Sequence, residues 1–167
     1  LCLLVNMGQE TVHVQCVQVV LHTRAGDEKT LTVTEYERVA PDDSNVQHAL
    51  RQGPVPSGGY LVLGSFRNVI LGKNSEDEDS DYLFEDITGV EIRAAVIHGP
   101  SPYPVGVRRS FTLRHDGKPE IFPHNIHSEQ LHRRKDRNEV RRWLEEELQP
   151  KCKGRSQSDS SDQSTSE

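Results

Sequence analysis

Aromatic residues are scarce in this chain, which carries four Phe, four Tyr and a single Trp among 167 residues. With 33% hydrophobic against 28% charged residues, part of it must lie outside any packed core. No apolar run approaches the ~18 residues that cross a bilayer. Asn-X-Ser/Thr sequons are absent, as are CxxC pairs and zinc-type spacings. Phosphate-cradling loops, dinucleotide fingerprints and the G-x-S-x-G elbow are missing too. Ser65 and Ser110 lie near strand-like segments without such an elbow, and Cys16 has no sequence-evident base. The expectation is therefore a non-enzymatic protein that needs neither cofactor nor metal.

Three cysteines, Cys2, Cys16 and Cys152, leave two readings open. All three are reduced thiols, or Cys152 pairs with Cys16 or Cys2 in a long-range disulfide. The opening Leu1 to Val5 lacks both an initiator Met and a basic lead-in. It reads as the tail of a cleaved signal peptide or as the first strand of a fragment.

Net charge is −6, but its distribution carries more information. Residues 74 to 86 hold seven carboxylates and no Lys or Arg, whereas residues 87 to 153 hold thirteen basic against nine acidic residues. The acidic segment 74–81 is expected to be a solvated loop, since the glycine and closing glutamate of an EF-hand are missing. Basic residues elsewhere are interleaved with acids and lack aromatic stacking partners, so nucleic acid is not the expected partner.

What remains is a pattern of strands. Thr11 to Leu21 places Val12, Val14, Cys16 and Gln18 on one face and His13, Gln15, Val17, Val19 and Leu21 on the other. A bulge near Gln18 would reconcile its two halves. Thr30 to Arg38 is a β-branched strand with one wet side, and Pro41, Pro54 and Pro56 confine residues 40–58 to a connection with at most one short helical turn around Val46 to Leu50. The densest aliphatic stretch, Gly58 to Gly72, reads as strand, tight turn, strand, and Val90 to Ile97 as a further strand. Pro100, Pro102 and Pro104 around Tyr103 make an extended connector. Val105 to Leu113 and Pro119 to Phe122 flank Asp116-Gly117, a hairpin signal.

The last element is a helix. Asp136 to Glu139 matches a capping box, Val140, Trp143, Leu144 and Leu148 share one face, and Pro150 stops it. Trp143, with roughly 200 Å² to bury, should anchor the helix on the sheet. His124, His127, Glu129 and His132 have metal-ligand chemistry but not helical spacing, and read as solvent-facing. Residues 149–167 form a Ser/Asp-rich tail expected to be disordered and open to phosphorylation.

Six to eight strands and a C-terminal helix predict a mainly β fold, either an OB-like barrel or a compact antiparallel sandwich. Residues 1–7 form an extension or first strand and residues 8–148 the binding domain. Arg133, Arg134, Lys135, Arg137, Arg141 and Arg142 form the candidate partner-binding patch.

Gly59 to Phe66 resembles the "YL-hydrophobic-x-G" strand of netrin-like (NTR) modules, and Arg141 to Leu144 through Pro150 to Cys152 resembles their closing helix and terminal cysteine. Cys16 falls where such modules carry a cysteine that can pair with the terminal one, so the resemblance implies a Cys16–Cys152 disulfide. It covers two short segments and one cysteine, and the hairpin of residues 105–122 has no counterpart in it. It implies an OB-like barrel, secreted and non-enzymatic, that binds proteins or matrix polysaccharide. Two functions follow: an extracellular module for a protein or acidic glycan, or an intracellular adaptor regulated through its acidic loop and tail. The extracellular reading is favoured.

Overall fold

Valine- and isoleucine-rich segments with a period of two build most of this molecule, as β-branched side chains suit a pleated surface. The structure, a computed structural model, describes residues 1–33, 52–71, 84–99 and 101–148. Nine strands lie among them: β1 (Cys2–Val5), β2 (Val12–Thr23), β3 (Glu28–Thr32), β4 (Gly53–Val55), β5 (Tyr60–Gly64), β6 (Ile87–His98), β7 (Val105–Arg114), β8 (Glu120–Pro123) and β9 (Glu129–Leu131). Helix α1 (Phe66–Leu71) follows β5, and α2 (Arg137–Leu148) comes last. The predicted acidic loop 74–81, the turn around residues 46–50, the strand beyond Val33 and the tail 149–167 with Cys152 lie outside the described residues.

All pairings are antiparallel. In the large sheet β2 pairs β6 along its length, while β3 and β4 share its other edge. Next comes β7, whose far edge is shared by β8 and β9. β1 and β5 form a separate two-stranded sheet, so residues 2–5 are a first strand. Among the described residues neither sheet closes on itself, and the sandwich, rather than the barrel, describes the fold.

Both faces of the large sheet are covered. On one face Val14, Val17, Val19, Leu21, Val90 and Ala94 meet Leu61 and Leu63 of the small sheet and Val69 and Ile70 of α1. On the other, Cys16, Ala95 and Leu131 meet Val140 and Trp143 of α2. The switch of face within β2 comes from a bulge. Val14 faces Val96 and Cys16 faces Ala95, so Gln15 is the extra residue. The bulge thus falls three residues earlier than the sequence pattern suggested.

Three further expectations are corrected. Gly58 to Gly72 is not a hairpin: β5 ends at Gly64, whose φ of +113° a side chain rarely tolerates, and α1 begins. Ser65 caps it, its Oγ accepting from Asn68 N–H (3.1 Å) and its carbonyl from Val69 N–H (2.9 Å). Next, the Asp136 carboxylate accepts from Arg133 N–H (3.2 Å), upstream of the helix, and Glu139 turns to Arg108 (2.8 Å). The sheet's arginine outcompetes the backbone, and no capping box forms. Finally, Val140 and Trp143 are buried, but Leu148 is 82% exposed, one turn past the sheet contact.

The Asp116-Gly117 signal is realised as the turn between β7 and β8, with Gly117 at φ +116°. Pro54 sits in β4, an edge strand opposite His13. Buried Asn6 ties the layers together, donating to the carbonyls of Glu10 (2.7 Å) and Val55 (2.9 Å).

Candidate functional site

Two regions offer chemistry beyond packing. The first is the approach to α2. After β9 the chain turns tightly, Asp136 N–H donating to the Arg133 carbonyl (2.9 Å) while the Asp136 carboxylate takes Arg133 N–H. That turn leaves the side chains of Arg133, Arg134 and Lys135 exposed. Arg142 is exposed as well, and none of the four forms an ion pair among the described residues.

The other two nominated cations are engaged. Arg137 lies 4.3 Å from the centre of the Tyr103 ring, a cation–π stack. Arg141 bonds Asn138 and lies 3.8 Å from Glu145. Arg108, which the sequence did not single out, spans Glu129 (2.7 Å) and Glu139 (2.8 Å), joining β7, β9 and α2. Its hydrogen bond holds the Glu129 carboxyl below the ordinary value against the opposing effect of burial, with its charge and that of Lys135 adding smaller contributions.

Charge along α2 runs against its dipole. Arg133, Arg134 and Lys135 precede and Arg137 opens its N-terminal end, where partial positive charge already resides and Glu139 is the one acid of the first turn, and Glu145, Glu146 and Glu147 occupy its C-terminal end. This arrangement costs helix stability. The helix is held instead by tertiary contacts: Val140 and Trp143 are buried, the Trp143 carbonyl accepts from Gln18 Nε2 (2.9 Å), and Glu147 accepts from the Thr32 hydroxyl (2.7 Å).

Cys16 is 1% exposed beneath α2. Burial above all, against a backbone hydrogen bond with Ala95 that lowers it and with smaller contributions from the charges of Glu147 and Glu146, pushes its thiol up to about 11. A thiol held neutral is a poor nucleophile. Cys2 and Cys16 are free thiols, and Cys152, the candidate partner, lies outside the described residues. Ser65 caps α1 and the Ser110 hydroxyl donates to Glu91 (3.0 Å). His124 Nε2 meets the Thr112 hydroxyl (2.6 Å), while His127 and His132 are exposed. Among the described residues no three His, Cys, Asp or Glu side chains converge on a metal-sized site, and no helix is long and apolar enough to cross a membrane.

The second region was not anticipated. A cavity of about 310 Å³ opens between the small sheet and the β2–β6–β7 face. Leu4, Leu63 and Phe66 line one wall, and Val17, Ala94 and Val107 the other. The single charged side chain lining it is that of Arg109. One guanidinium nitrogen donates to the Ile126 carbonyl (3.3 Å), and the group lies 5.6 Å from the Phe111 ring. Its Nε–H is buried without an acceptor among the described residues. A sequence signal did exist: Val105, Val107, Arg109, Phe111 and Leu113 alternate onto one face, and an arginine in that register stands where the core expects an apolar residue.

Comparisons with protein-family models, with curated proteins and with solved structures find no match to this chain.

Proposed function

We propose that this protein is a non-enzymatic binding module that engages an acidic partner, a sulfated glycan or an acidic protein surface, through Arg133, Arg134, Lys135 and Arg142. The observation that carries this reading is that these four cations are exposed and free of ion pairs among the described residues, three of them adjoining just before the helix end where the dipole disfavours them and Arg142 lying within α2. Stability of α2 does not account for them. Binding to an anion does, because a local field of one sign attracts an opposite charge over about a Debye length, ~8 Å at physiological salt. A glycan partner suits an extracellular setting, as the netrin-like resemblance implied. An acidic protein partner suits either side of the membrane.

Heparin chromatography tests the proposal well, because a chain of net charge −6 has no global reason to bind a polyanion. The wild type is expected to be retained at low salt and released as salt screens the patch. Replacing Arg133, Arg134 and Lys135 together with Glu should abolish retention, whereas Arg24→Glu, an exposed cation on the β2–β3 turn, should not. Flow-through of the wild type rules out the glycan. Failure to bind immobilised poly-glutamate as well would remove the acidic-partner reading altogether.

A further inference from the structure

The cavity between the sheets combines two features that seldom coexist without a ligand. Its walls are apolar on both sides, from Leu4, Leu63 and Phe66 to Ala94 and Val107, and yet a guanidinium borders it. An apolar chamber alone needs no partner and stays dry. A guanidinium side chain at its edge is different, since terminal N–H donors on a charged group favour an anionic acceptor over an apolar wall. Arginine presents five N–H donors in a planar fork, and among the described residues one of them is used, on the Ile126 carbonyl.

We infer that this cavity binds a medium- to long-chain carboxylic acid, its carboxylate held by Arg109 and its aliphatic chain between the two sheets. Carboxylate oxygens match the guanidinium fork in geometry and charge, so one group would pair with its terminal N–H donors and neutralise the arginine. Ser128 also lines the cavity, two residues on from Ile126, whose carbonyl Arg109 already reaches. The polar end of the site is thereby placed by the loop after β8. The cavity's 310 Å³ lies within the size range of ligand sites, a few hundred cubic ångströms and upward.

The rim supports the same ligand class. Leu1, Leu3 and Ile121 line the cavity and are also 83%, 46% and 38% exposed, and Ile126 beside Arg109 is 85% exposed. Exposed apolar side chains gathered at one opening mark an interaction site more than the same residues scattered singly. A fully ionic ligand has no use for such an entrance, and a pure hydrocarbon has none for Arg109. An amphiphile with one acidic end uses both. This inference does not depend on the basic patch of α2, which lies on the opposite face of the large sheet.

Isothermal titration of the full chain with dodecanoate, below its micellar range, tests the inference directly. One molecule per chain should bind with a negative heat-capacity change, the mark of buried apolar surface. Arg109→Gln should weaken dodecanoate at least tenfold and leave dodecanol, which has the same chain and no charge, within about twofold of its wild-type affinity. Val107→Phe, which fills the cavity from β7, should weaken both. Methyl NMR of the unmutated protein supplies a readout independent of any variant's folding: dodecanoate should shift Ala94, Val107 and Leu63 methyls and leave those of Val140 and Leu131, across the sheet, unmoved. Absence of dodecanoate binding to the wild type overturns the inference. So do equal losses of acid and alcohol in a folded Arg109→Gln variant, or shifts centred on α2.

Discussion

Helix α2 approaches the sheet so closely that a single methyl group should dislodge it. Gly106 of β7 is buried beneath it, and a Cβ built there would lie 2.6 Å from Val140 Cγ2, 2.9 Å from Trp143 Cζ3 and 3.2 Å from Leu131 Cβ. Carbon atoms pack best at about 3.5–4.0 Å, so α2 must retreat by roughly 1 Å in Gly106→Ala. Three neighbours from two elements surround the methyl, and rotation of one side chain cannot make room for it. Overpacking of this kind costs about 1–3 kcal/mol, offset by roughly 0.5–1 kcal/mol because alanine suits a strand better than glycine. The net expectation is a loss of about 1–2 kcal/mol.

A double-mutant cycle makes the argument sharper. Val140→Ala removes two methyl groups from a fully buried site, for about 1.6 kcal/mol of lost transfer energy plus a cavity contribution. It also removes Val140 Cγ2, the atom nearest the methyl that Gly106→Ala introduces. The double variant should therefore be at least ~1 kcal/mol more stable than the sum of the single losses implies. Urea melts followed by fluorescence suit the measurement, because Trp143 is the chain's one tryptophan and sits in the contact itself. Additivity within about 0.5 kcal/mol would refute the seating of α2 on Gly106, as would a Gly106→Ala protein as stable as the wild type.

Two further expectations concern titrating groups. Cys16, raised by burial from 9.0 to about 11, stays neutral while the unfolded chain's thiol ionises; its contribution to stability is full below pH 9 and declines as pH rises from there to about 11. Iodoacetamide at pH 8 should accordingly label Cys16 far more slowly in the native protein than in urea, read by peptide mass mapping, and equal rates would contradict its burial. Glu129, held below its ordinary 4.5 chiefly by the Arg108 hydrogen bond, stabilises the fold above that value and ceases to as pH falls through the lowered one. The Tm difference between wild type and Arg108→Gln should thus hold steady above pH 4.5 and narrow on further acidification, and a widening gap would count against the pairing.

Elements that bury one face over many residues were legible in the sequence. The β2 and β6 segments, the Asp116-Gly117 hairpin and the stripe of Val140, Trp143 and Leu144 all carry a period or a turn residue that local sterics enforce. Errors arose where two local solutions had similar merit. Phe66 to Leu71 is apolar enough for a strand, and Gly64 with a capping Ser65 tips it to helix. Within β2 the alternation revealed that a bulge was needed but not where, since Gln15 and Gln18 are equally polar and only the pairing with Ala95 and Val96 distinguishes them. At the start of α2 the capping box lost to a competitor from another strand, Arg108, which no local pattern could report.

The sites divide along the same line. A cluster of cations can be read from sequence because its members adjoin, but their pairing cannot: Tyr103, Asn138 and Glu145 take two of the six, and the other four form no ion pair among the described residues. Arg109 is the converse case. Its neighbours Val107 and Phe111 look like ordinary core, and its significance rests on Leu4, Leu63 and Phe66, brought opposite it from a different sheet. A charge in a core register is either paired, solvated or waiting for a ligand. Sequence can locate such a residue, but only the fold decides among the three. Here it leaves an arginine beside an apolar space, which is the arrangement a carboxylate would complete.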